Sequence, residues 1–364
     1  MLQVKAAILA GGPGSRLRSL TRHRPKPKVP FEKRCLIDFP ISNCLHSSRV
    51  GIIEVFIQAH ANKILRYVED TYLAYVAGKP LRCQVTGDEK FEGSADVFRH
   101  CPFVFDEGDE HLLVLCADQV YLMDYDSVIE YHLAQKAAVT IITQQVPKAI
   151  ASALGIAQIG ADGNVNGFLE KPAEPPTIPG TDQCLASLGM YVFDAQALQE
   201  MIREISGNDI GGDLIPHAFA TGRKVAVYEF PHYWRDVGTV HNLWLANMDL
   251  VGPCPQINLY DPHWPIYHRP GHLPSPKMVN GCQCTDAIIS DGSIVAGTIV
   301  NSVLSTRVQV GHDSLIKSSV VFDQVTIGNN VVLDRVLVDK HAVIGDGVVL
   351  GVNPEVEVSH YPEL

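Results

Sequence analysis

A glycine-rich turn near the start of the chain combines two features that suit a polyphosphate. Gly11, Gly12 and Gly14 follow the apolar run Val4–Leu9, and Arg16 stands shortly after the last glycine. Glycine lets backbone N–H groups approach a ligand without interference from a Cβ atom. Arginine adds a fixed positive charge with several hydrogen-bond donors. The turn is therefore predicted to bind a polyphosphate.

The turn differs from the two commonest phosphate-binding loops. A P-loop needs a Lys-Ser or Lys-Thr pair after its last glycine, where this chain has Arg16-Leu17. The dinucleotide-binding fingerprint needs a third glycine at the position of Leu17. On this stretch alone, a tight strand-to-helix turn without a ligand is an equal alternative.

Three further segments follow the turn in order. They are Leu20-Thr21, the Lys-Pro-x-x-Pro segment Lys26–Pro30 and the Ile-Asp-Phe-x-x-Ser-Asn-Cys segment Ile37–Cys44. With the glycine turn, they resemble the sugar-phosphate nucleotidylyltransferases. The third segment resembles in particular the ADP-glucose pyrophosphorylases, also called glucose-1-phosphate adenylyltransferases. The resemblance covers nearly the whole chain.

The resemblance implies a nucleotide half of the site. Gly93-Ser94-Ala95-Asp96 is similar to the family's Gly-Thr-Ala-Asp, which lies against adenine and ribose. Arg16 would contact the departing pyrophosphate and Lys26 would neutralise further phosphate charge, although a Lys-Pro cluster is otherwise usually a solvated turn. The implied nucleotide-binding residues are Leu9, Ala10, Gly11, Gly12, Gly14, Gly93, Ser94 and Asp96.

The resemblance also implies a metal site. Asp118 follows the apolar run Val114–Cys116, and Asp236 lies in Tyr233–Thr239, which matches a family motif almost letter for letter. Two carboxylates can hold one Mg²⁺ that also binds phosphate oxygens and waters. Asp118 alone could equally be a helix N-cap. Asp118 and Asp236 are thus expected to bind Mg²⁺, and the expected catalytic residues are Arg16, Lys26, Asp118 and Asp236.

A sugar half is implied by three more segments. In Phe168–Pro172, Lys171 would contact the sugar phosphate and Glu170 the sugar hydroxyls. Gly155 and Ser187 belong to two further segments that resemble sugar-contacting parts of the family. A surface Glu-Lys pair is normally a solvated turn, but the order of the matching segments favours the site.

The implied reaction is ATP + α-glucose 1-phosphate → ADP-glucose + pyrophosphate, for glycogen or α-glucan synthesis. The attacking phosphate oxygen is already anionic, so no general base is needed and the work is positioning and charge neutralisation. Two alternatives stay open: a weakly catalytic regulatory paralogue in a hetero-oligomer, and a nucleotidylyltransferase for another sugar 1-phosphate. Such paralogues typically lose the arginine, lysine or metal acid, all of which are present here.

Several positions depart from the family pattern. Phe91 stands where a tyrosine is usual, and Ser94 replaces threonine. The segment Asp209–Asp213 lacks a lysine, and the stretch Ala59–Gly93 is shortened, which removes much of a loop that links ATP binding to allosteric control. The chain also ends soon after its repeats, where many members continue. The resemblance implies that metabolite effectors bind between the domains, with Lys33 and Arg34 as possible contacts. Because the Ala59–Gly93 stretch is shortened, we expect only a weak change of activity in response to an effector.

The composition indicates which classes of partner the chain binds and in which cellular compartment it occurs. The chain has 364 residues and a formal net charge of -11, which argues against general nucleic-acid binding. No long apolar run suggests a signal peptide or a membrane span. The nine cysteines are scattered apart from Cys282-x-Cys284, which favours free thiols. A cytoplasmic protein that binds neither nucleic acid nor membrane is expected.

The elements that must position these residues form an α/β pattern up to residue 250. The predicted strands are Val4–Leu9, Ile52–Ile57, Leu112–Leu115, Val139–Gln144 and Ser187–Phe193, and the predicted helices are Ala61–Val68, Asp126–Ala134 and Ala195–Ile205. Alternating strands and helices predict a Rossmann-like domain with a mostly parallel sheet. Ligands of such sheets bind beyond the carboxyl ends of the strands, where the glycine turn would lie.

The sequence pattern changes after residue 250. Prolines crowd residues 251–280, which predicts an ordered linker pinned by Trp264 and Tyr267. Beyond it, aliphatic residues recur about every six positions, as in a parallel β-helix of hexapeptide repeats; a β-sandwich is the alternative. The resembled family carries a left-handed β-helix here and forms tetramers through it. We therefore expect a catalytic domain over 1–250, a linker over 251–285, a β-helix over 286–364 and a homotetramer.

Overall fold

The computed structural model describes residues 4–12, 14–58, 61–73, 75–76, 78–85, 91–105, 110–269, 271–351 and 359–361. Residues 59, 60 and 86–90 of the shortened stretch therefore lie outside the described residues, as do 74 and 77. Within the described residues, none of the helices has the length and apolarity that a membrane crossing requires.

The strands and helices of the amino-terminal half alternate along the chain. The strands are β1 Val4–Leu9, β2 Pro30–Phe31, β3 Arg34–Cys35, β4 Val50–Ile57, β5 Leu81–Val85, β6 His111–Cys116, β7 Gln119–Tyr121, β8 Val139–Pro147, β9 Gly155–Ile159, β10 Val165–Glu170, β11 Gln183–Asp194, β12 Val225–Glu229 and β13 Trp234–Asp236. The α-helices are α1 Asp38–His46, α2 Ala61–Tyr72, α3 Asp96–His100, α4 Tyr125–Gln135, α5 Lys148–Ala151, α6 Ala195–Glu204, α7 Ile215–Ala220 and α8 Val240–Met248. The predicted elements are present, with ends shifted by a few residues.

Nine of these strands form one sheet in the order β10-β9-β11-β6-β1-β4-β5, with β8 paired to β11 and β12 paired to β8. The pairings make all strands except β10 and β11 run in the same direction. The predicted mostly parallel sheet is confirmed. The reversed β11 is the longest strand and contacts β6, β8 and β9.

Helices cover both faces of the sheet because the central strand is apolar on both. Ala6 and Ile8 of β1 pack on the face that α2 covers, whereas Ala7 packs on the face that α6 covers. Each helix turns one apolar stripe inward at helical spacing. The inward residues are Ile64, Tyr67, Val68 and Tyr72 of α2, and Leu198, Met201 and Ile202 of α6.

The carboxyl-terminal part is a parallel β-helix, as predicted. Its strands are β14 Lys277–Met278, β15 Gln283–Ile289, β16 Ile294–Val295, β17 Thr298–Leu304, β18 Gln309–Val310, β19 Leu315–Lys317, β20 Val320–Val321, β21 Thr326–Ile327, β22 Val332–Asp334, β23 Val336–Val338, β24 Val343–Ile344, β25 Val349–Leu350 and β26 Ser359–Tyr361. Strands of successive coils pair in parallel, most of them at a spacing of 17 residues. The pairs β15–β17 and β16–β18 are spaced by 15 residues, and β23–β26 by 23. Ile299, Ile316 and Leu333 form one buried column inside.

The corners of the β-helix carry non-glycine residues in the left-handed backbone region. Asn301, Ser318 and Arg335 occupy the same corner in successive coils, with φ values of 45°, 45° and 57°. Left-handed backbone is costly for residues other than glycine and asparagine. The stacked coils hold these corners, since Ser318 N donates to Val300 O at 2.9 Å and Arg335 N to Lys317 O at 3.1 Å.

The proline-rich linker is fastened to helix α1, as predicted for its two aromatic residues. Trp264 Nε1 donates to Asn43 Oδ1 at 2.8 Å, and Tyr267 N donates to Ser42 Oγ at 2.9 Å. On the same helix, buried Asp38 accepts hydrogen bonds from Tyr72 and from the backbone N–H of Cys35, at 2.6 and 2.7 Å. The Ile-Asp-Phe-x-x-Ser-Asn segment is therefore a structural joint between α1, α2 and the linker.

A hairpin of the catalytic domain joins it to the β-helix. Glu32, at the tip between β2 and β3, accepts a hydrogen bond from Ser290 Oγ at 3.0 Å and pairs with Arg34. Its backbone N–H donates to Asn247 Oδ1 of α8 at 3.1 Å. Arg24 also reaches across and binds the buried Asp339 carboxylate at 2.6 Å. Apolar residues of both parts share one core cluster around these contacts.

A buried histidine pair lies between α4 and the sheet. His132 Nδ1 is 2.8 Å from Thr140 Oγ1, and His132 Nε2 is 3.2 Å from His111 Nδ1. Burial, and then the neighbouring His111, lowers the pKa of His132 to about 4. Burial also lowers the pKa of His111.

We expect this pair to make the fold acid-sensitive between about pH 6.5 and 4. In that window the two histidines are protonated in the unfolded chain but remain neutral in the folded chain. The free energy of unfolding therefore falls as pH falls. His132→Gln should flatten the pH dependence of Tm, measured by calorimetry across this window. His263→Gln, at an exposed position, is the control. Parallel Tm–pH curves for wild type and His132→Gln would contradict the prediction.

Candidate active site

A two-stranded ribbon brings two acidic residues to the same place. β7 pairs antiparallel with β13, and Asp236 at the end of β13 is aligned with Gln119 at the start of β7. Asp118 directly precedes Gln119, so both carboxylates lie at one end of the ribbon. That end adjoins the carboxyl end of β6, which is paired with β1.

Lys26 is the cation that meets Asp118. Its Nζ donates to Asp118 Oδ2 at 2.8 Å, and the lysine is only 7% exposed. Burial would lower the pKa of Lys26, but the Asp118 and Asp236 carboxylates outweigh it and the pKa is raised. Lys26 is therefore fully charged at neutral pH. Asp118 does not act as a helix N-cap.

The Asp236 carboxylate has too little positive charge nearby to offset its removal from water. Burial, and then Asp118, raises the pKa of Asp236, although Lys26 and Arg16 act in the opposite direction. Asp118 Oδ1 is buried and has no hydrogen-bond partner among the described residues. A cation with room for more oxygen ligands would complete this site.

Arg16 lies beside the same acids. A Cβ atom placed on Gly238 would be 2.7 Å from Asp236 Oδ2 and 3.1 Å from Arg16 Nη2, so this glycine packs against both side chains. Gly14 begins the short helix that carries Arg16, with a φ of 65° that favours glycine. The structure thus brings Arg16, Lys26, Asp118 and Asp236 together.

A cavity of about 320 Å³ opens next to these charged groups. The sequence-predicted residues that line it are Leu9, Ala10, Gly11, Gly12, Lys26, Gly93, Ser94 and Asp118. One wall is the glycine turn after β1, and the opposite wall is Phe91–Ser94. Asp96, which the sequence also predicts to bind the nucleotide, does not line the cavity. Its carboxylate accepts a hydrogen bond from Glu92 N at 3.1 Å and so stabilises the Phe91–Ser94 wall.

A second turn supports the Gly93–Ser94 wall. Ser94 Oγ donates to Asp209 Oδ2 at 3.1 Å and accepts from Ile210 N at 2.8 Å. Ala95 N donates to Asn208 O at 2.8 Å. Asp209 begins a π-helical turn over Ile210–Leu214, a conformation that often marks functional sites. Where the family's lysine is absent, Gly212 N donates to Asp209 Oδ1 at 2.7 Å.

The sugar-side residues lie beyond this turn. A Cβ atom on Gly211 would be 2.6 Å from Glu170 Oε2, and one on Gly155 would be 2.8 Å from the same oxygen. Glu170 is therefore enclosed by two glycines, and its other oxygen, Oε1, contacts Lys171 Nζ. Lys171 is exposed and has a φ of 46°. Ser187, on β11, is 6% exposed.

Several residues of the cleft were not singled out from the sequence. Gln58 and Glu92 line the nucleotide-side cavity, as does Cys116. Gln58 follows β4, which is paired with β1, so the rule about carboxyl ends of parallel strands could have found it. Phe91, noted only as a departure, lines the cavity and packs on His100 with ring centroids 5.6 Å apart.

Lys33 and Arg34 are not part of this cleft. They line a separate cavity of about 650 Å³ between the two domains. Further basic residues line it, namely Lys28, His268, Arg269, His272, Arg307 and Lys340. Burial, and then Arg34, lowers the pKa of His268 to about 4. The side chain of Arg34 is already paired with Glu32.

No group of three or more metal-ligating His, Cys, Asp or Glu side chains occurs within the described residues. The cleft offers two carboxylates, those of Asp118 and Asp236. Mg²⁺ usually binds in this way, through one or two carboxylates plus phosphates.

Comparison with known proteins agrees with this architecture. The nucleotidyl transferase family matches residues 5–252, and the GlmU-like C-terminal hexapeptide family matches residues 273–362. A glucose-1-phosphate adenylyltransferase of Methylobacillus flagellatus is 39% identical over 98% of this chain and 90% of its own length. Those of Sinorhizobium fredii and Nitrosospira multiformis are 34% and 36% identical, over 98% of this chain and 92% and 90% of their own lengths.

Proposed function

The chain belongs to the nucleotidyl transferase family, and within it to the glucose-1-phosphate adenylyltransferases, and from that premise we propose how its cleft works. The reaction joins ATP and α-glucose 1-phosphate to give ADP-glucose and pyrophosphate. The observation that carries the assignment of roles is the gathering of Lys26, Asp118, Asp236 and Arg16 beside the nucleotide-side cavity. ADP-glucose is a donor for glycogen or α-glucan synthesis, which we propose as its use in the cytoplasm.

We assign ATP to the cavity between the glycine turn and Phe91–Ser94. The base and ribose would lie against the Gly93–Ser94 wall, and the backbone of Gly11 and Gly12 would face the phosphates. Glucose 1-phosphate would lie near Ser187 and the Glu170 enclosure, with Lys171 on its phosphate. The Asp209–Asp213 turn lies between the two halves, since it contacts both Ser94 and Glu170.

The chemistry needs two anions to approach each other. A phosphate oxygen of glucose 1-phosphate attacks the α-phosphorus of ATP in line, and pyrophosphate leaves. This oxygen is ionised at neutral pH, so no residue has to remove a proton. Lys26 offsets the charge of the phosphates, and Arg16 offsets the charge that grows on pyrophosphate as it departs.

The residues present fit a bound Mg²⁺. The unpartnered Asp118 Oδ1 and the raised pKa of Asp236 both indicate carboxylates arranged for a cation. We propose that Asp118 and Asp236 hold Mg²⁺, which would supply positive charge to the phosphate oxygens of both substrates.

Pyrophosphate release tests the substrate assignment. It should be measured with each nucleoside triphosphate against glucose, mannose and N-acetylglucosamine 1-phosphates. The highest kcat/KM should be with ATP and glucose 1-phosphate. A clear preference for another sugar 1-phosphate would favour the second alternative, and release near background with every pair would favour a regulatory paralogue.

We further propose an assembly and a weak form of control. Exposed apolar side chains on the β-helix, among them Ile294, Val343 and Val349, provide area for contacts between copies. The basic cavity that contains Lys33 and Arg34 has the charge to receive an anionic effector. The shortened Ala59–Gly93 stretch removes part of the connection from an effector to ATP.

Replacing either acid should disable catalysis. We expect Asp118→Asn and Asp236→Asn each to lower turnover at least about 10²-fold, the scale for loss of a key electrostatic contact. Both variants should stay folded by circular dichroism. Asp162→Asn, in an exposed turn, is the control. Near-wild-type rates for both variants at all Mg²⁺ concentrations would remove the metal assignment.

Lys171→Ala and Arg16→Ala should affect different kinetic constants. Lys171→Ala should mainly raise KM for glucose 1-phosphate, because it removes binding to non-reacting phosphate oxygens. Arg16→Ala should mainly lower kcat. Lys317→Ala on the β-helix is the matched loss of an exposed cation. If both substitutions changed only the KM for ATP, the division of the cleft would be wrong.

The full chain should be a homotetramer with a weak effector response. Light scattering should give about four times the mass of 39.8 kDa. Rates with fructose 1,6-bisphosphate, 3-phosphoglycerate or AMP should change by less than about tenfold, within the usual range of allosteric coupling. A monomer would contradict the assembly, and a larger rate change would contradict the weak control.

A further inference from the structure

Strand β11, which carries Ser187, contains a bulge whose carbonyls accept hydrogen bonds from side chains of the neighbouring strands β6 and β7. The pairing of β11 with β8 is interrupted between Ser187 and Tyr191. Gly189, inside the bulge, has a φ of 68°. Leu188 O accepts a hydrogen bond from Gln119 Nε2 at 2.7 Å, and Gly189 O accepts one from Cys116 Sγ at 3.2 Å. Side chains thus replace the sheet hydrogen bonds that the bulge gives up.

The side-chain amide of Gln119 forms hydrogen bonds through both its nitrogen and its oxygen. While Nε2 donates to Leu188 O, Oε1 accepts a hydrogen bond from Trp234 Nε1 at 3.0 Å. The side chain is buried, with Gln119 only 6% exposed. Gln119 also follows Asp118 in the chain and is aligned with Asp236 in the ribbon. One amide therefore links the strand that carries Ser187 to the ribbon that carries both acids.

We propose that Gln119 is a positioning residue for the sugar phosphate, acting through the β11 bulge on one side and through Trp234 on the other. The bulge orients Ser187, whose Oγ accepts a hydrogen bond from Gly189 N at 3.2 Å. The bond to Trp234 orients β13 and hence Asp236. Gln119 fixes the separation between the sugar-phosphate pocket and the acid pair without touching a reacting atom. This inference rests on the proposed sugar side of the cleft.

Two substitutions separate the two hydrogen bonds. Gln119→Met has a similar volume and removes both, which leaves a buried carbonyl and a buried indole N–H unpaired. Trp234→Phe removes the indole N–H alone and leaves the bond from Gln119 to Leu188 O in place. Steady-state kinetics of the full chain should be measured with ATP, glucose 1-phosphate and Mg²⁺ each varied in turn.

For Gln119→Met, KM for glucose 1-phosphate should rise about tenfold, which corresponds to one unsatisfied buried group. The Mg²⁺ concentration for half-maximal activity should rise as well, and KM for ATP should stay within about twofold of wild type. Trp234→Phe should keep the wild-type KM for glucose 1-phosphate and raise only the Mg²⁺ requirement. This split is a readout that a merely structural residue would not produce.

Asn247→Leu is the control, because Asn247 is another buried amide that bonds one donor and one acceptor, Glu32 N and Leu243 O, outside the cleft. It should lower Tm with unchanged KM values.

An unchanged KM for glucose 1-phosphate in Gln119→Met, or equal changes in all constants for Gln119→Met and Asn247→Leu, would overturn the proposal. If Gln119→Met does not fold, Trp234→Phe still tests the proposal, and an unchanged Mg²⁺ requirement in that variant would equally overturn it. A wild-type enzyme that is not saturated by glucose 1-phosphate would instead refute the proposed sugar side.

Discussion

The ion pair between Lys26 and Asp118 is the contact on which the arrangement of the cleft depends. Lys26 comes from the loop after the glycine turn, and Asp118 comes from the end of a central strand. Two half-buried carboxylates close together repel each other, so Asp118 and Asp236 need cations beside them. Lys26 supplies one such charge from the protein. The segment after the glycine turn is thereby tied to the two acids.

The second domain packs against the segment of chain that carries Lys26. The Glu32 hairpin, the Arg24–Asp339 ion pair and the linker on α1 hold the β-helix against the catalytic domain. Both hairpin and ion pair arise from the segment that also carries Lys26. The cavity that Lys33 and Arg34 line lies at this same joint.

Much of the fold could be predicted from the sequence, because local patterns determine it. Apolar runs of β1, β4 and β6 predict buried strands, and the six-residue aliphatic period predicts the β-helix. Short elements such as β7 and β13 could not be predicted, since a three-residue strand has no period and forms only through its partner. The same contrast between local sequence patterns and tertiary contacts applies to the cleft. The glycine turn and both acids were apparent, whereas the Ser94–Asp209 bond and the Gln119 bridge depend on tertiary contacts between distant residues.

The regular spacing of the β-helix limits how this chain can change in length. Most strands lie directly under an equivalent 17 residues later, but two neighbouring pairs are spaced by 15 residues and one by 23. An insertion inside a strand would move the following side chains of that strand to the wrong face, whereas changes at a corner or the duplication of a whole coil would preserve the stacking. Relatives of different length are expected to differ here by complete coils or by loops at the corners.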